Sequence, residues 1–89
     1  MSAHEYDSKI QSIPIDQIRL GTSQEHQHYD EAFLRELADS FREKGIITPL
    51  FVHRVGDHYW LVRGERRFRA ARLAGMTEVP CVVSFARWW

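Results

Sequence analysis

The residues best suited to chemistry crowd into one stretch, WLVRGERRFRAARLAG, from Trp60 to Gly75. Arg63, Arg66, Arg67, Arg69 and Arg72 fall within ten residues, with Glu65 among them and Gly64 at their head. Arginine presents a planar fork of N–H donors that matches phosphate oxygens. If a strand ends at Gly64 and a helix starts directly after it, the first amides of that helix lack intrahelical acceptors. The helix dipole adds partial positive charge at the same place. An anion there meets backbone N–H groups, the forks of Arg66 and Arg67, and no side chain at Gly64. Glu65 is placed to favour the dipole, to pair with Arg69 at i,i+4, or to hold a metal. The plainer alternative is a solvated stripe of Arg66, Arg69 and Arg72. Placement weighs against it, because cations suit the C-terminal end of a helix and these gather at the first turn.

Other candidates are weaker. Glu25 lies in a polar loop between His26 and the preceding Ser23 and Gln24, with His28 just beyond. Two loop histidines without further ligands do not make a zinc site, and no metal site is assigned. His53 and His58 are placed to face one another across a predicted hairpin. Of Tyr59 and Trp60, one is expected in the core and the other outside. The closing FARWW puts Trp88 and Trp89 either back on the sheet or at an interface.

The elements that must position these groups follow from periodicity. IQSIPIDQI alternates at Ile13 and Ile15 and predicts a short strand, with Pro14 making it an edge or a brief one. GTSQEHQHYD has no period and reads as a loop. From Asp30, Phe33, Leu34, Leu37, Ala38 and Phe41 recur on one helical face, predicting a helix over roughly residues 30–44, with Asp30 or Ser23 to serve its start, Asp30 being the nearer to the first apolar residue, and Gly45 after its end. IITPLFVH and HYWLV predict two strands of a hairpin around the Gly-Asp turn. ERRFRAARLA predicts a second helix that buries Phe68, Ala71, Leu73 and Ala74, and EVPCVVSF a final strand. The order β-α-β-β-α-β predicts an α+β fold, a small mixed sheet with two main helices. Residues 1–9 are expected to be an N-terminal tail and residues 10–89 a single domain.

Composition bounds the function. No apolar run suffices to span a bilayer, and MSAHEYDSKI has no apolar core of a secretion signal. The one cysteine, Cys81, cannot form an internal disulfide and is expected to be buried, so a cytoplasmic protein is expected. The net charge is zero, yet residues 1–45 carry −4 and residues 46–89 carry +4. Only Lys9 and Lys44 are lysines among the 12 basic residues. That asymmetry fits an anion-binding second half, or a mutual contact between acidic and basic halves.

GIITPLFVH, a hairpin, and then GERRFRAARLAGMTEVPCVV closely resemble the N-terminal domain of ParB-like proteins, in the ParB/sulfiredoxin superfamily. The similarity begins near IPIDQIRL, includes LRELADSFREKG, and covers roughly residues 10–85. The resemblance implies that Gly64, Glu65, Arg66 and Arg67 bind the triphosphate of CTP, with Arg69 expected as a further phosphate-binding residue, and that Gly45, Ile46, Thr48, Pro49 and Leu50 lie beside the base. Thr48 stands where the family has glutamine, which leaves base preference open. The family's N-P-x-Q-P-R box is replaced by GTSQEHQHYD. Sulfiredoxins carry their catalytic cysteine where Glu65 stands, so their chemistry is not expected.

The resemblance further implies a nucleotide-dependent switch in DNA segregation or regulation, nucleoid association, and Mg²⁺ held by the acidic loop or Glu65. It also implies a homodimer or a partner protein. Hydrolysis, with Glu25 or Glu65 as catalytic groups, is left open. Two alternatives stand beside this reading. One is a nucleic-acid-binding or ParB-like nuclease module contacting DNA through its arginines. The other is a small-molecule kinase of the free-serine type with Glu25 as base.

Overall fold

The computed structural model describes the backbone of residues 2–21, 24 and 28–88, and side chains over 9–21, 24 and 28–85. In chain order the elements are β1 (Ser2–Pro14), a 3₁₀ turn (Ile15–Gln17), β2 (Ile18–Arg19), α1 (Glu31–Lys44), β3 (Leu50–Val55), β4 (His58–Arg63), α2 (Glu65–Leu73) and β5 (Glu78–Trp88). The strands form one mixed sheet in the order β1-β5-β3-β4-β2. Pairing is antiparallel for β1 with β5 and for β3 with β4, and parallel for β3 with β5 and for β2 with β4.

Helix α1 follows the sequence closely. The Asp30 carboxylate accepts from the Ala32 amide at 2.9 Å, satisfying one free N–H of the first turn. Gly45 ends the helix at φ 77°, a left-handed value that favours glycine, and its N–H reaches the Phe41 carbonyl at 2.8 Å. Ala38 and Phe41 are buried, and Leu34 and Leu37 pack against the core. Phe33, expected on the same face, is 44% exposed and turns towards α2.

The core lies on one face of the sheet. Leu50, Val52, Leu61, Val79, Cys81 and Val83 alternate inward from the central strands and meet Phe68, Ala70 and Ala71 of α2. Phe68 is 1% exposed, and burying such a ring stabilises by about 1.5–3 kcal/mol. Leu73, expected inside, is 49% exposed, because Ala70 and Ala71 supply the inward face instead. Arg42 donates to the Leu73 carbonyl at 3.0 Å, tying α1 to the end of α2.

Three extents differ from expectation. The stretch expected as a tail continues β1, since Ser2 to Tyr6 pair with Ser84 to Trp88, and β5 is correspondingly longer than EVPCVVSF. Strand β3 starts at Leu50 rather than Ile46, because Pro49 has no N–H to donate to a ladder and Ile47 is 84% exposed. Two-residue β2 has no counterpart in the sequence pattern; it places Ile18 in the core and leaves Ile15 packed at its margin. Tyr59 packs on the core and Trp60 is 40% exposed, as alternation requires. Trp88 pairs with Ser2 in the β1–β5 ladder, and Trp89 lies outside the described residues.

Candidate functional site

The strand-to-helix junction expected at Gly64 is present. Strand β4 ends at Arg63, Gly64 takes φ 108° and ψ 33°, and α2 starts at Glu65. The Phe68 amide donates to the Gly64 carbonyl at 2.8 Å and is the first to find an acceptor inside the helix. The amides of Glu65, Arg66 and Arg67 therefore stand at an open helix start. A Cβ at Gly64 would lie 3.0 Å from Arg67 Nη2 and 3.2 Å from Leu50 Cγ. Glycine is thus needed twice, for the left-handed backbone and for the Arg67 fork that folds back over it. Arg67 Nε is buried and has no hydrogen-bond acceptor among the described residues. A buried charged donor left in that condition is costly unless an anion arrives.

Tyr29 closes one side of the junction. Its hydroxyl donates to Glu65 Oε2 at 2.6 Å. That bond is the main reason its own ionisation is pushed above the ordinary tyrosine range, with burial and the Glu65 charge adding to it. The Arg66 guanidinium lies 5.7 Å from the Tyr29 ring and 5.6 Å from the Phe33 ring, within cation–π range. Sequence reasoning misses Tyr29 and Phe33 as site residues. The only signal for Tyr29 is an aromatic placed directly before the helix-capping Asp30, and Phe33 fits the core-facing period.

A hollow of about 430 Å³ opens over this junction, with Tyr29, Phe33, Glu65 and Arg66 on its walls. Beside it lies a second hollow of about 190 Å³, bounded by Ser40, Lys44, Gly45, Ile46, Ile47 and Thr48. Leu37 and Arg67 line both, so one groove along α1 runs from the Gly64 turn to the Gly45–Thr48 segment. The structure brings Gly64, Glu65, Arg66 and Arg67 together with Gly45, Ile46 and Thr48.

Other expected residues sit elsewhere. Leu50 is fully buried beneath Gly64, so it supports the turn from below and cannot face a ligand. Pro49 is half-buried and lines neither hollow. Arg69 leaves the groove altogether: its Nη2 donates to the Gln24 carbonyl at 2.6 Å, and it packs on the Tyr29 ring from the side facing β2. Glu25 and His26 lie outside the described residues. His53 does not face His58, because the hairpin register pairs it with Trp60; its Nδ1 meets Ser84 Oγ at 2.9 Å. His58 contacts Asp57 at 3.2 Å and helps to hold that carboxyl below its usual range. Cys81 is buried, and burial pushes its thiol up to about 12. Among the described residues no ion pair links the acidic half to the arginines of α2.

Known proteins share this fold. The family model of the ParB N-terminal domain matches residues 1–86. The chromosome-partitioning protein Spo0J of Thermus thermophilus is 52% identical over 71 residues, 80% of this chain and 26% of that protein. The chain thus spans about a quarter of the length of the curated relatives it matches. Among solved structures, C-terminally truncated chromosome-partitioning protein ParB from Caulobacter crescentus, complexed with CTP-gamma-S, superposes with a TM-score of 0.75 at 35% identity. That match covers 85% of this chain and 44% of the other. Sulfiredoxin from Arabidopsis thaliana gives a TM-score of 0.73 at 27% identity, over 84% of this chain and 83% of the other.

Proposed function

Since this chain belongs to the ParB N-terminal domain family, we propose that it binds a nucleoside triphosphate, CTP by analogy with the neighbour that holds CTP-gamma-S. The phosphates lie over the amides that follow Gly64, between the forks of Arg66 and Arg67. The base lies along Gly45, Ile46 and Thr48. The observation that carries this reading is the shared groove, in which Arg67 borders both the phosphate end and the base end. The unsatisfied Arg67 Nε supplies the physical reason for an anion at that end.

Glu65 lies at the same turn with Oε2 already engaged by Tyr29. Its carboxylate would help to hold the Mg²⁺ that accompanies a triphosphate, which lowers the charge met by the groove. Bound nucleotide then acts as a switch, and the chromosome- and plasmid-partitioning names of the relatives support DNA segregation as its setting. A second copy of the chain or a partner protein completes the phosphate end, which is open to solvent on the Arg66 side.

A thermal-shift panel of CTP, ATP, GTP, UTP and ADP, with and without Mg²⁺, tests the proposal. A ligand at 100 times its dissociation constant stabilises by about 2.7 kcal/mol. In a domain of this size that raises the midpoint by roughly 10–20 °C. Absence of any shift at millimolar nucleotide would remove the proposal.

A further inference from the structure

Helix α2 carries a second group of arginines on the flank away from the nucleotide groove. Arg69 and Arg72 reach towards β2, where with Ile18, Arg19 and Leu20 they line a hollow of about 280 Å³. Among the described residues none lines both this hollow and the hollow over Gly64. The Tyr29 ring, with Arg66 at 5.7 Å and Arg69 at 5.1 Å, stands between the two.

Each guanidinium here is held by a neutral partner. Arg19 Nη1 donates to the Asp16 carbonyl. Arg69 Nη2 donates to the Gln24 carbonyl at 2.6 Å. The Arg72 guanidinium lies 5.2 Å from the Phe68 ring. Carbonyls and rings fix direction without cancelling charge. Among the described residues no carboxylate lines the hollow and none of these arginines enters an ion pair. Asp57, in the β3–β4 turn, senses the charge of Arg19 but is not on the lining. Arg69 Nε is buried and has no acceptor among the described residues.

Three positive forks arranged in this way repel one another and leave a buried donor unpaired. A tetrahedral oxyanion relieves both conditions, since its oxygens accept from several forks at once. We propose that Arg19, Arg69 and Arg72 form a binding site for a phosphate-type oxyanion, separate from the nucleotide groove. A further hollow of about 500 Å³ shares Arg69 and Arg72 and extends to Arg35, so the site has room for more than one phosphate. Glu31, on the far wall of that hollow, already faces Arg35 at 3.5 Å. Phosphate chemistry of this kind is offered either by free inorganic phosphates or by the backbone of a nucleic acid.

The test titrates pyrophosphate, and separately a short DNA duplex, into ¹⁵N-labelled protein while the Arg69 Nε–H resonance is followed. Arg19 and Arg72 are exposed, so an Arg19→Gln/Arg72→Gln double variant should keep its fold, checked by circular dichroism. Pyrophosphate should shift the Arg69 resonance in the wild type, and the double variant should weaken that response at least tenfold. Arg67→Ala, in the other groove, should change it less than twofold. If the duplex displaces pyrophosphate from Arg69, and its binding falls steeply with salt, the phosphates belong to a nucleic acid. If the duplex does not compete, the site takes free phosphate. A resonance that neither anion moves, or a response equal in wild type and double variant, overturns the proposal. The site does not depend on the nucleotide reading, so loss of one leaves the other standing.

Discussion

Replacing Gly64 by alanine separates two demands on one residue. The backbone there has φ 108°, where a side chain is strained at a cost of about 1–3 kcal/mol. The new methyl would also meet Leu50 Cγ at 3.2 Å and Arg67 Nη2 at 3.0 Å. Leu50 is fully buried and gives way only by shifting the core, which adds about 1–3 kcal/mol. The Arg67 fork can swing aside at little cost, but doing so takes it off the turn. Gly45→Ala is the control, since its φ is 77° and a methyl there meets nothing within 4 Å. Urea unfolding should therefore show a loss of about 1–3 kcal/mol for Gly45→Ala, from backbone strain alone, and about 2–6 kcal/mol for Gly64→Ala, where the contact adds to it. Total stability for a chain this long is on the order of 5–13 kcal/mol, so the urea curve also fixes the folded fraction of each variant before it is titrated. Calorimetric titration of the folded Gly64→Ala variant should then show CTP affinity reduced at least tenfold. Equal losses for the two variants would refute the close-approach argument. A stable Gly64→Ala protein with wild-type affinity would refute the role given to the Arg67 fork.

Arg67→Ala should weaken nucleotide binding more than tenfold in the same titration, with little loss of stability because it deletes a buried donor that has no protein acceptor among the described residues. Glu65→Gln removes the carboxylate that raises Tyr29; absorbance near 295 nm should show Tyr29 ionising at lower pH than in the wild type. Cys81 makes stability fall in alkali: its thiol is raised in the folded state to about 12 from 9.0, so the folded form keeps a proton that the unfolded form loses. The contribution is complete below about pH 9 and is lost as pH rises towards 12, and a Cys81→Ala variant should lose less stability over that window in urea titrations. Alkylation of Cys81 by iodoacetamide at pH 8 should follow unfolding rather than precede it, as mass spectrometry would show.

Much of this molecule is legible in local signals of its sequence. Helix α1 announces itself through a single apolar face between Asp30 and Gly45. The hairpin is marked by β-branched residues around Gly56-Asp57, and the strand-to-helix turn at Gly64 by a glycine between strand and helix periods. What escapes depends on partners distant in sequence. Two residues of β2 are too few to show a period, yet β4 recruits them. The stretch AHEYDSK has too few apolar residues to read as a strand and becomes one because Ser84 to Trp88 offer it a ladder. The resemblance sets Leu50 beside the base with Thr48 and Pro49, but β alternation turns it under Gly64. Arg69 reads as a member of the phosphate turn because it lies in the same helix. Its side chain instead answers to Gln24 and Tyr29, and no spacing rule within α2 reports that.

The ladder between β1 and β5 has a consequence for the order in which the fold is assembled during synthesis. Strand β5 lies between β1 and β3, so the last of the five strands to be made is an interior one. Until it emerges, β1 has no strand to pair with, and the β3–β4 hairpin and both helices face an unfinished sheet. The first strand thus waits for the fifth, with every other element between them in the chain. Closure of that long loop comes late and slowly. A chain stalled before Glu78 would expose the β3 edge and leave β1 unpaired, and both are adhesive surfaces. Completion of the sheet, and with it a settled floor beneath Gly64, is therefore tied to the arrival of Glu78–Trp88.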